Sequence, residues 1–281
     1  MDYKVKNNID LAKINTKEVH NNAEKELKKI RKEISKLQDK MYAHGKYSLL
    51  VCLQGMDTSG KDSLIREVFK NVNANGVQVT SFKVPSTKEL KHDFLWRHYI
   101  ALPERGVIGV FNRTHYENVL VTRVHKGYIL GENIPSVKSI NDLDDSFYEN
   151  RMKDIINFEN HIADNGTIIL KFFLNISKEE QKNRLLRRLD LPAKNWKFSA
   201  GDLKERKLWS TYQTCYQDAI NTTSTKKAPW FVVPADDKPT ARLIVAKTIL
   251  ETLQQYGDIK YPELDKETKG NIALYKAELL K

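Results

Sequence analysis

The sequence predicts an α/β protein built on a mainly parallel, five-stranded, doubly wound sheet. Two observations carry this. Five short strand-like segments recur, at YSLLVCLQ (47–54), VQVTSFKV (77–84), VIGVFNR (107–113), TIILKFFLN (167–175) and WFVVP (230–234). Helical patterns separate each run from the next, which is the βαβ alternation of a sheet covered on both faces. No internal repeat and no Pro/Gly/Ser-rich linker interrupts the chain, so residues 1–281 read as one domain.

The elements follow in order. Val19, Ala23, Leu27, Ile30, Ile34, Leu37 and Met41 recur at three- and four-residue steps, predicting an amphipathic helix over 17–44 that Gly45 ends. That face fits packing on the same domain or self-association. The first strand is followed by a helix, KDSLIREVFKNV (61–72), with Leu64, Ile65, Val68 and Phe69 inward. The second leads into a helix over 87–102, the third into a short helix around HYENVLVTRV. A helix over 144–166 stops at Gly166. After the fourth strand, Ser177 and Glu180 form a capping box opening KEEQKNRLLRRL. An irregular DLPAKNWKFSAGD precedes one long helix over 203–223, and the last strand precedes a helix over 238–256. Residues 126–145 and 258–281 carry no decisive pattern.

Hydrophobic residues at 40% and charged residues at 30% describe an ordinary globular protein. The opening MDYKVKNNID has neither the apolar core of a signal peptide nor the arginine-rich character of a transit peptide. No apolar run reaches membrane-spanning length. Cys52 and Cys215 lie far apart without metal spacing, and the seven histidines show none either. A cytoplasmic protein with no membrane partner is expected. The net charge of +11 favours polyanionic partners without choosing among nucleic acid, acidic lipid and polyphosphate.

Three clusters carry chemistry. In LVCLQGMDTSGKDSLI (50–65), Gly55, Gly60 and Lys61 match the G-x-x-x-x-G-K phosphate loop, between a predicted strand and a predicted helix as such a loop requires. Backbone N–H groups of Gly55, Met56, Asp57, Thr58, Ser59 and Gly60 would converge on a phosphate at the positive end of the helix. Asp62 stands where a magnesium-binding hydroxyl is usual. Asp57 supplies the alternative hard oxygen ligand for Mg²⁺, which needs only one or two carboxylates. The second cluster closes the third strand: Asn112, Arg113 and Glu117 should face the loop across the crevice at the strand C-termini, with Arg123 in reach. The third is NRLLRRLDLPAKNWKF, where Arg184 and Arg188 share one helical face, with Arg187, Lys194 and Lys197 nearby. Guanidinium groups bind phosphate oxygens bidentately, so this face suits a mobile lid over about 177–210.

With all three clusters in view, the chain closely resembles the polyphosphate kinase 2 family. The matching stretches are GMDTSGKD, FKVPSTKELKHDFLWRHY, GVFNRTHYENVLVTRVH, RLLRRLDLPAKNWKFSAGDLKER and VVPADDKPTARL, from about residue 47 to 250. FNRTHYE, with Asn112 and Glu117, resembles the family's class III branch. The resemblance implies a P-loop kinase three-layer α/β/α sandwich with a helical lid, and Asp after the loop lysine as a family trait. It implies Mg²⁺-dependent, reversible phosphate transfer between inorganic polyphosphate and nucleoside mono- and diphosphates (AMP, ADP, ATP, with guanine nucleotides as further candidates). It places Asp57, Lys61, Asn112, Arg113 and Glu117 at catalytic positions, and Lys83, Arg123, Arg184 and Arg188 along the polyphosphate path. Asp93 and Trp96 fall near the nucleotide side. A homo-oligomer is expected, and no specific nucleic-acid ligand. An ATP-dependent nucleoside or nucleotide kinase and a nucleic-acid-binding ATPase are the rival readings of the same loop and charge.

Overall fold

The structure, a computed structural model, describes residues 3–281. Strands β1 (Ser48–Gln54), β2 (Val77–Ser81), β3 (Ile108–Asn112), β4 (Thr167–Asn175) and β5 (Trp230–Pro234) form one parallel sheet in the order β2-β3-β1-β4-β5. The strand feeding the phosphate loop is therefore central, and every residue of β1 is buried. Its side chains alternate between two helical layers. Leu49, Val51 and Leu53 belong to one apolar cluster with Ile34, Met41, Leu64, Val68 and Ile249, whereas Leu50 and Cys52 join Phe111, Phe158, Ile162 and Ile169. Helices α1 (Ala23–His44), α2 (Lys61–Val68) and α10 (Lys238–Gln254) build the first layer; α4 (Glu117–Val124), α5 (Asp145–Asp164) and α9 (Trp209–Thr223) lie across from it. The expected α/β/α sandwich is what forms. Among the described residues no helix is long and apolar enough to cross a membrane.

An N-terminal strap crosses the outer edge of β5. Lys4 pairs antiparallel with Phe231, the Val5 N–H donates to the Trp230 carbonyl at 2.9 Å, and the Val232 N–H donates to the Tyr3 carbonyl at 3.0 Å. Farther on, the Thr16 hydroxyl donates to Asp236, whose other carboxylate oxygen takes the N–H of Ser177 at 2.7 Å.

Several local expectations shift. α1 begins at Ala23, leaving Val19 exposed, and ends where Gly45 adopts φ +65° and closes on the Met41 carbonyl. The helix expected over 87–102 shrinks to a 3₁₀ turn at Glu89–Lys91 and the short α3 (Trp96–Tyr99). Asp93 explains the break: its carboxylate accepts the Leu95 N–H at 2.9 Å, a local bond that competes with helical continuation. The helix after Lys61 stops at Val68, and β2 stops at Ser81. In α6 (Lys178–Asp190), Ser177 caps the Glu180 N–H at 3.0 Å, but the Glu180 carboxylate binds Arg184 Nε at 2.7 Å instead of completing the capping box. The stretch read as irregular holds α7 (Pro192–Asn195) and the start of α8 (Ala200–Lys207), and the single helix expected over 203–223 breaks at Leu208 between α8 and α9. Helices α11 (Lys266–Gly270) and α12 (Ile272–Leu279), in the tail, have no buried residue.

Candidate active site

The crevice lies at the C-terminal ends of β1 and β3, where their side chains turn from core to cleft. Gln54, the last residue of β1, is fully buried and donates from Nε2 to Thr114 Oγ1 (3.1 Å) and Glu117 Oε1 (2.9 Å). The loop then folds tightly. At Gly55, φ is +150°, and a Cβ would meet the Leu174 carbonyl oxygen at 2.9 Å, so only glycine fits against β4. Thr58 takes φ +65° and Gly60 φ +109° before α2 begins. The hydroxyls of Thr58 and Ser59 are buried without a hydrogen-bond partner in the protein. Buried polar atoms are ordinarily satisfied, so two orphaned oxygens in one loop fit a site that receives its partner from outside.

Lys61 folds back over this loop, donating to the Gly55 carbonyl at 2.6 Å and to the Met56 carbonyl at 3.3 Å. Burial, reinforced by the Arg113 guanidinium, pushes its pKa down to about 8, against the opposing pull of Asp57, Glu117 and Asp62. Across the cleft, Arg113 sits at φ +59°, a left-handed conformation costly for a side chain with a Cβ. Its Nη2 binds Asp57 Oδ1 at 3.1 Å, and Nη1 lies 3.8 Å from Glu117 Oε2. Burial would lower the Arg113 pKa, but the two carboxylates outweigh it and hold it above the ordinary guanidinium value. Asn112 donates to Asp62 Oδ1 at 2.8 Å, which fixes the carboxylate at the start of α2 and gives Asp62 a structural partner. Asp57, Lys61, Asn112, Arg113 and Glu117 thus converge.

The basic set divides. Arg184 is 7% exposed and lies beneath the loop. Nη1 donates to the carbonyls of Thr58 (3.0 Å) and Ser59 (2.9 Å), Nη2 to those of Ala235 (2.7 Å) and Asp236 (2.9 Å), and Nε to Glu180. A guanidinium has five N–H donors, and all five are committed to protein. This corrects the expectation that Arg184 faces a phosphate path beside Arg188. Arg123 is likewise turned aside, ion-paired to Asp218 and, at 2.9 Å, to Asp145. Arg188 binds the Lys197 carbonyl (2.9 Å) and Asp202 (3.0 Å) within the helical flap of α6–α8. Lys83 is exposed just past β2.

Sequence reasoning missed several residues that complete the cleft. Gln54 and Thr114 brace Glu117. Gln181 donates to the Asp57 carbonyl at 3.2 Å and accepts from Arg206 at 2.7 Å, tying the loop to α8. Burial and the neighbouring Asp57 raise the Asp202 pKa, with Arg188 opposing. Only Gln54 left a trace, as a polar residue closing a nearly all-apolar strand. The rest needed the flap to fold back.

The described residues contain no cluster of three or more His, Cys, Asp or Glu able to hold a metal. Asp57 alone provides a carboxylate at the loop. This fits Mg²⁺, which takes most of its ligands from water and substrate phosphates.

The model of the polyphosphate kinase 2 family matches residues 17–260. The chain belongs to that family. Relatives within it include an ADP-polyphosphate phosphotransferase of Rhodopseudomonas palustris, 46% identical over 248 residues, which span 88% of this chain and 84% of that one. An AMP/ADP-polyphosphate phosphotransferase of Meiothermus ruber is 44% identical over 234 residues, 83% and 82% of the two chains. The crystal structure of polyphosphate kinase 2 from Arthrobacter aurescens superposes with a TM-score of 0.88 at 36% identity, over 98% of this chain and 95% of that one. The family match takes in every cleft residue described above. Most of the strap and the helices α11 and α12 lie outside it.

Proposed function

We propose that this chain transfers the terminal phosphate of inorganic polyphosphate to nucleoside mono- and diphosphates, converting AMP and ADP to ADP and ATP, reversibly and with Mg²⁺. Guanine nucleotides are further acceptors, and the enzyme works as a cytoplasmic homo-oligomer. The observation that carries the reading is the meeting of Lys61 and Asp57 on the loop with Arg113 and Glu117 opposite, in a chain whose relatives are polyphosphate phosphotransferases.

An oxygen of the acceptor's terminal phosphate attacks the terminal phosphorus of the polymer. The bond from that phosphorus to the bridging oxygen it shares with the next phosphate breaks, and the shortened chain leaves with the electron pair. The acceptor oxygen is already anionic, so no strong base is required. Charge spreads over the equatorial oxygens of the transferred group, and catalysis is largely positioning and neutralisation. Lys61 and the loop N–H groups hold that group, and the Thr58 and Ser59 hydroxyls, which have no partner in the protein, add donors. Arg113 offsets the developing charge. Glu117, braced by Gln54, orients the acceptor, and Asn112 sets Asp62. Asp57 would hold Mg²⁺, which would supply neutralisation of phosphate charge when bound. Helices α6–α8 act as the lid. Arg188 and Lys83 supply positive charge along the polymer's path, while Arg184 fixes the loop from below.

Purified protein given ADP, Mg²⁺ and polyphosphate, with no ATP, should form ATP in a luciferase assay. Absence of ATP alongside phosphorylation of nucleosides by added ATP would overturn the reading in favour of an ordinary kinase.

A further inference from the structure

Behind the cleft lies a set of buried ionisable groups that the proposed chemistry does not use. Lys171, in the middle of β4, is fully buried. Its ammonium donates to Glu159 Oε2 (2.7 Å), the Tyr116 hydroxyl (2.7 Å) and the Thr223 carbonyl (2.8 Å), which spends all three protons. Glu159 Oε1 in turn accepts the Tyr116 hydroxyl at 2.8 Å and lies 3.0 Å from His115 Nε2. Burial pulls the pKa values of Lys171 and His115 down, with Glu159 opposing both.

Such a pair is a poor way to stabilise a core. Removing two charges from water is costly, and apolar side chains of similar volume commonly do as well. The location gives the better account. Thr114, His115 and Tyr116 are consecutive and fully buried, and they are the residues between Arg113 and Glu117. Arg113 holds a left-handed φ of +59°. A strained residue of this kind persists only where its surroundings over-determine it. From above, the segment is held by Gln54 on Thr114 and by the Arg113 N–H on the Leu53 carbonyl at 3.2 Å. From below, His115 and Tyr116 are held by Glu159 of α5 and Lys171 of β4.

The geometry points to Lys171 and Glu159 as positioning residues for phosphate transfer: together they anchor the 114–116 segment so that Arg113 and Glu117 stay aimed at the loop. This rests on the roles proposed above for Arg113 and Glu117.

The test compares full-length Tyr116→Phe and Lys171→Met/Glu159→Gln with Arg113→Ala and Glu117→Gln, in polyphosphate-driven ATP formation from ADP. For folded Tyr116→Phe, kcat should fall roughly tenfold with the KM values for ADP and polyphosphate within about twofold. The double variant should fall further with the same split, because misaimed groups still bind substrate but no longer match the transition state. Wild-type kcat in the folded variants, or a loss expressed mainly in KM, overturns the inference. If the double variant does not fold, Tyr116→Phe decides alone, since losing one hydroxyl keeps the ring packing. Collapse of Arg113→Ala and Glu117→Gln beside normal Tyr116→Phe refutes only the anchor. Normal activity in Arg113→Ala and Glu117→Gln refutes the catalytic roles themselves.

Discussion

Two arginines one turn apart on α6 have opposite surroundings. Arg184 is sunk beneath the phosphate loop, with every donor on protein acceptors, four of them backbone carbonyls of the loop and of the β5–α10 turn. Arg188 points into the flap, partly exposed, and donates from Nη1 to the Lys197 carbonyl and the Asp202 carboxylate. The same helix therefore ends one region and begins another. Its first turns belong to the rigid floor, whereas its last turn belongs to a surface where Leu186, Leu189, Trp196 and Leu203 are exposed. Formal charge is equal at both positions. Burial and partner identity divide them: one is spent on fixing the loop, and the other, on the proposed reading, meets the polymer.

That contrast can be broken experimentally. The largest effect is expected from Arg184→Leu, which strands buried carbonyls on both sides of the loop. At about 1–3 kcal/mol for each group left unsatisfied, stability should fall by roughly 3 kcal/mol or more. Thermal unfolding measures this, and Arg184→Lys should recover little of it, because an ammonium cannot span four carbonyls in a plane. A Tm unchanged by Arg184→Leu would erase the distinction between floor and flap.

A second test reads the floor through Lys61. Its pKa in the free protein is about 8, below the ordinary lysine value, so the loop loses a positive charge as pH rises through 8. Because kcat/KM reports groups of the free enzyme, its value for polyphosphate should decline above about pH 8. In Lys61→Arg that alkaline limb should disappear, whatever activity remains. The sign for stability is the reverse. A lysine depressed by burial is a cost to the fold below pH 8, and the cost is relieved as pH rises toward the unfolded value.

The smallest effect on the fold belongs to Arg188→Ala. Its pair with Asp202 is partly solvated, so unfolding should shift by about 1 kcal/mol or less. The KM for polyphosphate should rise several-fold with kcat less affected, measured by initial rates over a range of polymer concentrations.

Much of this architecture was legible in the sequence. The apolar runs of β1, β3 and β4 were plain because central strands buried on both faces admit little else, and Gly55 stood where backbone must approach β4. Arg184 was not legible, since an i, i+4 arginine pair looks the same whether it faces solvent or the underside of a loop. Asp93 and Leu208 broke predicted helices, at Asp93 through a side-chain bond to the backbone that periodicity does not register. Lys171 was visible as a lone charge within TIILKFFLN, a position that demands partners, but Glu159 and Tyr116 are distant in sequence and only the folded chain names them.

The strap over β5 has a consequence for handling the protein. It hides one rim of the sheet from stray polypeptide, while β2 forms the opposite rim with Gln78, Val79 and Ser81 open to water. Unpaired backbone along such a rim is where foreign strands dock and aggregates start. A charge placed at Val79 should keep concentrated samples clear without disturbing the cleft, and trimming the first residues should do the opposite by baring a second rim.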